Sequence, residues 1–254
     1  MRKIKIMRRI LTTLLIIGTV MLSYASAETY TFVSTPFPQL SEENENGELS
    51  GLAVELIQEL FHNIGHEVII KLYPRKRALQ MVLDGEADGL IGPGKTVERE
   101  QIFRFGEYPF FDNTQVFYVR ADDPFEWKGD YATLKGKTVG LLHGWGVPKP
   151  FEAIIPTLTV EPVATTEQNF LKLTHSRIDI ILTSRHDATD LFEKSDIEAQ
   201  VRRLEPPADV TPGYFVFAKN RPDLEPLILQ INQELKNMIE QGRVDELQRK
   251  YGFK

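Results

Sequence analysis

An α/β fold with parallel strand pairing is predicted by two features of this 254-residue chain. Runs rich in β-branched and aromatic residues alternate with segments of helical apolar spacing, over residues 30–91 and again over 134–182. That alternation implies crossover connections and so a parallel sheet. Glycine-rich turns follow a strand in each stretch, at Gly92-Pro93-Gly94 and at His143-Gly144-Trp145-Gly146. Ligands bind such sheets outside the carboxyl ends of the strands, which puts both turns on a candidate binding face.

In chain order, the first residues read as a secretory leader. Arg2, Lys3, Lys5, Arg8 and Arg9 form a basic stretch, residues 10–22 an apolar one, and Ala25-Ser26-Ala27 a small-residue cleavage site. The apolar run is shorter than the roughly 20 residues of a membrane span. Cleavage after Ala27 removes five of the 30 basic residues and none of the 36 acidic ones, which leaves 25 against 36 and a net charge of −11. A chain this acidic is poorly matched to nucleic acid or to an anionic membrane. It has no cysteine, which excludes disulfides, thiol catalysis and a cysteine-linked lipid anchor. No cofactor and no metal site are expected.

Residues 30–34 form the first expected strand, and Thr35-Pro36-Phe37-Pro38 an extended loop at its carboxyl end. Asn46-Gly47 marks a tight turn. Leu52, Val54, Leu56, Ile57, Leu60 and Phe61 recur at helical spacing until Gly65. A strand over 68–72, a helix over 77–83 and a strand over 87–91 follow. Thr96 suits the N-cap of a short helix, whose free N–H groups and Arg99 would lie beside one cleft. Arginine's planar fork of donors matches a carboxylate, although spacing alone fits a surface residue equally well. Further strands are expected over 114–119 and 160–165, with a helix starting at Thr166. Residues 206–212 read as an extended connector, 213–219 as a strand, and 224–239 as a long amphipathic helix.

Several of these segments carry a family resemblance. They are Asn46-Gly47-Glu48-Leu49-Ser50-Gly51; Thr96-Val97-Glu98-Arg99 with the aromatic run from Phe105 to Phe111; Leu134-Lys135-Gly136-Lys137-Thr138-Val139-Gly140; and Leu247-Gln248-Arg249-Lys250-Tyr251-Gly252. Together they resemble the family 3 extracellular solute-binding proteins, the amino-acid-binding type of periplasmic binding protein. The resemblance runs through the whole mature chain. It implies the type II fold, in which two lobes, each a mostly parallel sheet flanked by helices, are joined by two crossing strands. Residues 1–27 would then be the leader, 28–111 with 213–254 the first lobe, and 112–212 the second. Phe110-Phe111-Asp112-Asn113 and the strand from Gly213 would be the crossings.

The resemblance also assigns candidate site residues. The motif's arginine holds the ligand's α-carboxylate with help from its threonine, which implies Arg99 and Thr96 here, beside the backbone of Gly94. Phe37 stands where the family places an aromatic that stacks on the ligand. In the second lobe, Gly146 would offer backbone and Trp145 a stacking face, with packing as the other reading of Trp145. His143 and Asp88 read as structural, and Arg185 and His186 as solvated helix residues. Two departures bear on the ligand. Pro74-Arg75-Lys76-Arg77-Ala78-Leu79 has Arg75 where a similar subgroup has tryptophan, so Arg75 or Arg77 could add a second positive contact. Five positions after Asp179, where amino-acid binders carry an aspartate for the ligand's ammonium, this chain has Ser184. Serine keeps a hydrogen bond but lacks the charge that an ammonium in a dry cleft needs. An anion held mainly by Arg99 fits better than a standard α-amino acid.

The function this implies is a monomeric periplasmic binding protein that closes on a small carboxylate-bearing ligand and delivers it to an inner-membrane ABC permease. Alternatives are a dehydratase-type enzyme on the same fold, for which His143, Glu107 or Asp187 would be the acid or base, and a ligand-sensing partner of a membrane receptor.

Overall fold

The computed structural model describes residues 27–143 and 146–254, so the leader and Trp145 lie outside the described residues. Two mixed sheets organise the fold. The first contains β1 (Thr29–Ser34), β4 (Glu67–Leu72), β5 (Gly89–Ile91), β6 (Phe103–Phe105) and β13 (Phe215–Ala218), in the order β4-β1-β5-β13-β6. Its β4-β1-β5 half is parallel, as the alternation predicts, while β13 runs antiparallel to β5 and β6. A two-stranded hairpin, β2 (Glu42–Glu43) with β3 (Leu49–Ser50), flanks the turn at Asn46-Gly47.

The first sheet is covered on both faces. Helix Leu52–Asn63 turns Leu52, Leu56, Ile57, Leu60 and Phe61 onto one face. Helices Glu225–Glu240 and Arg243–Lys250 add Leu227, Ile231, Leu235 and Leu247 to the same core, so the end of the chain packs back onto its beginning. Helix Arg75–Leu83 covers the other face with Ala78, Met81 and Val82. It starts two residues earlier than the sequence pattern suggests, because Pro74 has the backbone geometry of an N-cap.

The second sheet contains β7 (Phe111–Arg120), β8 (Thr138–Leu142), β9 (Thr159–Val163), β10 (Ile180–Ser184) and β11 (Val201–Arg203), in the order β11-β7-β10-β8-β9. Along β7 the side chains alternate as a pleat requires. Phe117 and Val119 face Trp127, Leu134 and Phe151, while Val116 and Tyr118 face Phe170, Leu173 and Ala188. Asp88 and Asp179 perform the same structural task in the two sheets. Each precedes a strand and accepts a backbone N–H from a neighbouring one, from Thr31 within β1 at 2.8 Å and from Thr138 at the start of β8 at 2.7 Å.

The second link between the sheets differs from expectation. The segment that reads as an extended connector is itself a strand, β12 (Asp209–Gly213), paired antiparallel with β7 from Gln115↔Asp209 to Phe111↔Gly213. Its Pro212 is tolerated because β12 pairs on one side only. The crossing is thus made by β12, and residues 215–218 belong to the first sheet.

Candidate functional site

The carboxyl ends of β1, β4 and β5 and the two crossing strands enclose a cleft of about 860 Å³. Six of the nine residues singled out from the sequence line it: Phe37, Arg75, Gly94, Thr96, Arg99 and Gly146.

The Thr96–Arg99 segment takes the expected form. Thr96 is extended at φ −137° and caps helix Val97–Ile102 by accepting the Arg99 N–H at 3.2 Å. Arg99 in turn donates from Nη1 to the Gly94 carbonyl at 2.9 Å, which folds the side chain back over the turn. The rest of its fork remains available for an acceptor in the cleft. Gly94 is needed for closeness. A Cβ there would stand 2.3 Å from Thr211 Cγ2 of β12, so the turn and the crossing strand meet only because the side chain is missing. Burial pushes the Arg99 guanidinium below its ordinary range, opposed by the nearby Glu98 carboxylate.

Arg75 is the first residue of its helix and half-buried. Burial, with repulsion from Arg99, pushes its guanidinium down to about 10. Phe37 is 8% exposed and lies 6.4 Å from the Phe111 ring and 6.0 Å from His186. On the other side, Gly146 O accepts from Gln115 Nε2 at 3.1 Å, which fixes the turn after β8 against β7.

Residues 31–254 match the family described as bacterial extracellular solute-binding proteins, family 3. The chain belongs to that family. As a family 3 solute-binding protein it has the two-lobed periplasmic binding fold, and solved structures agree. A probable amino-acid ABC transporter extracellular-binding protein from Bacillus subtilis is similar at a TM-score of 0.76 and 20% identity, over 89% of this chain and 98% of that one. An ancestral arginine-binding protein bound to arginine is similar at 0.72 and 23%, over 88% and 97%. An ancestral amino acid-binding protein described as a precursor of cyclohexadienyl dehydratase is similar at 0.72 and 20%, over 89% and 95%. At these identities the likeness is one of fold. A search of curated proteins returned no match.

Three expectations about this solute-binding protein need correction or restriction. Arg77 lies outside the cleft and is exposed, with its guanidinium 2.6 Å from Glu86. Residues two apart on a helix face different sides, so Arg75 and Arg77 cannot both reach one ligand. Ser184 is buried and not in the main cleft. Its hydroxyl caps helix Arg185–Glu193 by accepting the His186 N–H at 3.2 Å, and it lines a small cavity of about 20 Å³ that adjoins the cleft through the shared residues Gln115 and Gly146. His186 is not solvated. It is 4% exposed, stacks on Phe253 at 3.8 Å, and its Nε2 lies 3.3 Å from the Gly252 carbonyl.

Other cleft residues had no signal in the pattern. Lys149 begins helix Lys149–Ile154, in a Pro-Lys-Pro stretch that carries no helical spacing. Asn113 and Gln115 enter from β7, and Asp209 and Thr211 from β12. Asp209 is the only carboxylate in the cleft lining among the described residues, and its Oδ2 accepts from Thr211 Oγ1 at 2.7 Å. A strand's alternation becomes informative about a cleft only once the strand itself is recognised, and residues 209–213 read as a connector.

Proposed function

We propose that the mature chain is a periplasmic binding protein that closes on a small carboxylate-bearing ligand and delivers it to an inner-membrane ABC permease. The lobes would be residues 28–111 with 213–254 and residues 112–212. The observation that carries this reading is Arg99, anchored on Gly94 and Thr96 at one wall of a cleft large enough for a small metabolite. Binding rather than catalysis is favoured by the family to which the chain belongs; His143, one of the groups a dehydratase reading would call on, does line the cleft.

The test is a thermal-shift screen of residues 28–254 with amino acids, dicarboxylates, aromatic acids, polyamines and prephenate. A ligand at about 100 times its dissociation constant adds about 2.7 kcal/mol, or roughly 5–10 °C at this size. A carboxylate is expected to give that shift. Arg99→Met should then weaken binding about 100-fold in titration calorimetry, with the ligand-free midpoint within about 2 °C of the natural protein. Undiminished affinity in Arg99→Met would remove Arg99 from the site, and turnover of prephenate would replace transport with the dehydratase reading.

A further inference from the structure

Arg75 lacks the acidic partner that Arg104, Arg221 and Arg243, also half-buried in the first lobe, each have. Arg221 reaches Asp88 and Asp223 at 3.2 and 2.7 Å, and Arg243 reaches Glu55 and Glu59 at 3.2 and 2.8 Å. Arg75 has no acceptor of any kind among the described residues, although it is half-buried at the cleft wall. Removing a guanidinium from water without a partner is unfavourable. The charge that acts on it is another cation, Arg99 on the same cleft wall. The rest of the lining repeats this imbalance. Lys76, Lys95 and Lys149 add positive charge, while Asp209 alone opposes it. The protein as a whole is acidic, so this concentration of cations is a property of the cleft.

We infer that the ligand carries two separated anionic groups, and that Arg75 is the specificity-determining contact for the second. This rests on the reading of Arg99 as the seat of the first carboxylate. One carboxylate on Arg99 would leave Arg75 desolvated and repelled in the closed cleft. A dianion neutralises both guanidinia and gives each a charge-assisted hydrogen bond. The helix that begins at Arg75 adds to this site, since Pro74 supplies no side-chain cap and the first-turn N–H groups remain unsatisfied by side chains. Tryptophan at this position, as in the similar subgroup, could supply only stacking and one N–H.

The test is titration calorimetry on residues 28–254 with matched probes: succinate, glutarate and adipate, each against its own monoamide, together with L-glutamine and L-arginine. The best dicarboxylate is expected to bind about 30-fold more tightly than its monoamide. Arg75→Met should reduce the dicarboxylate's affinity about 30-fold and the monoamide's by less than about threefold, while Arg75→Lys restores part of the loss. Arg99→Met should weaken both probes. Equal affinities for acid and monoamide, or an equal loss of both in Arg75→Met, would overturn the inference. Binding of the amino acids without any dicarboxylate would also overturn it, yet would leave the binding-protein reading intact. If no probe binds, or Arg99→Met changes nothing, the carboxylate reading of the cleft falls and this inference with it.

Discussion

Asp187→Asn is expected to stabilise the protein by about 4 kcal/mol at pH 8.5 and to have no effect below about pH 4. Asp187 lies in the first turn of helix Arg185–Glu193, where the helix dipole would ordinarily favour a negative charge. Burial outweighs the dipole here. The residue is 8% exposed, its Oδ2 has no hydrogen-bond partner, and burial with the neighbouring charge of Asp190 raises its carboxyl from 3.8 to about 7. The unfolded chain releases this proton near pH 4, whereas the folded chain holds it until about pH 7. Ionisation therefore favours the unfolded state across that window, and the natural protein loses stability as the pH rises through it.

The adjacent His186 has the opposite effect. Burial lowers its imidazole from 6.5 to about 4, although the Gly252 carbonyl favours the protonated form. The unfolded chain takes up this proton below about pH 6.5 and the folded chain only near pH 4, so stability falls as the pH drops. Between pH 4 and 6.5 the two residues oppose each other, and their joint contribution to the natural protein's pH dependence should be nearly flat. Asp187→Asn leaves the histidine contribution alone, so the variant should gain stability steadily from pH 4 to 6.5. Urea unfolding of both proteins at half-unit pH intervals measures the difference directly. Parallel profiles would mean that water reaches the Asp187 carboxylate in the folded state.

Gly213→Ala is expected to lower stability by about 3 kcal/mol, or roughly 6–12 °C in midpoint. Gly213 pairs with Phe111 across the two crossing strands, and the Phe111 ring lies over the glycine. A Cβ at Gly213 would stand 1.9 Å from Phe111 Cε1 and 2.5 Å from Cζ. The ring has little room to retreat. It packs against Phe37, Phe110 and Phe253, with centroids 6.4, 5.1 and 5.4 Å away. A double variant, Gly213→Ala with Phe111→Leu, should recover part of the loss, because the two residues share one space. Equal midpoints for Gly213→Ala and the natural protein would show that the ring moves freely. The displaced ring also adjoins Phe37 in the cleft, so ligand affinity should fall together with stability.

Most of the first lobe was legible in the sequence because its elements are local. The apolar spacing of Leu52–Asn63 and the β-branched character of Glu67–Leu72 each select one structure without help from distant parts of the chain. The Thr96 cap was legible for the same reason, whereas the hydrogen bond from Arg99 to the Gly94 carbonyl appeared only in the structure. What escaped depended on partners far away in sequence. Asp209–Gly213 is a strand because β7 lies beside it, and its proline and glycine argue otherwise. Lys149 reaches the cleft by way of a short helix between prolines that has no periodicity to detect. Ser184 was expected to face the ligand, but the strand runs on to Ser184 itself and its hydroxyl turns back to cap the following helix, a choice that depends on local rotamer and burial. Arg77 could be separated from Arg75 by helical phase only once the helix was known to begin at Arg75 rather than at Arg77.

The pairing of β12 with β7 has a mechanical consequence. Two unpaired threads between bodies would let them swivel, slide and twist with similar ease. Here the two spans form a hydrogen-bonded ribbon five residue pairs long, from Gln115↔Asp209 to Phe111↔Gly213. Such a ribbon flexes across its flat face and resists shear within its plane, as a leaf spring does. In the closure proposed above, the joint would have one soft direction, and Arg99 on one side would approach Gly146 on the other in a single alignment.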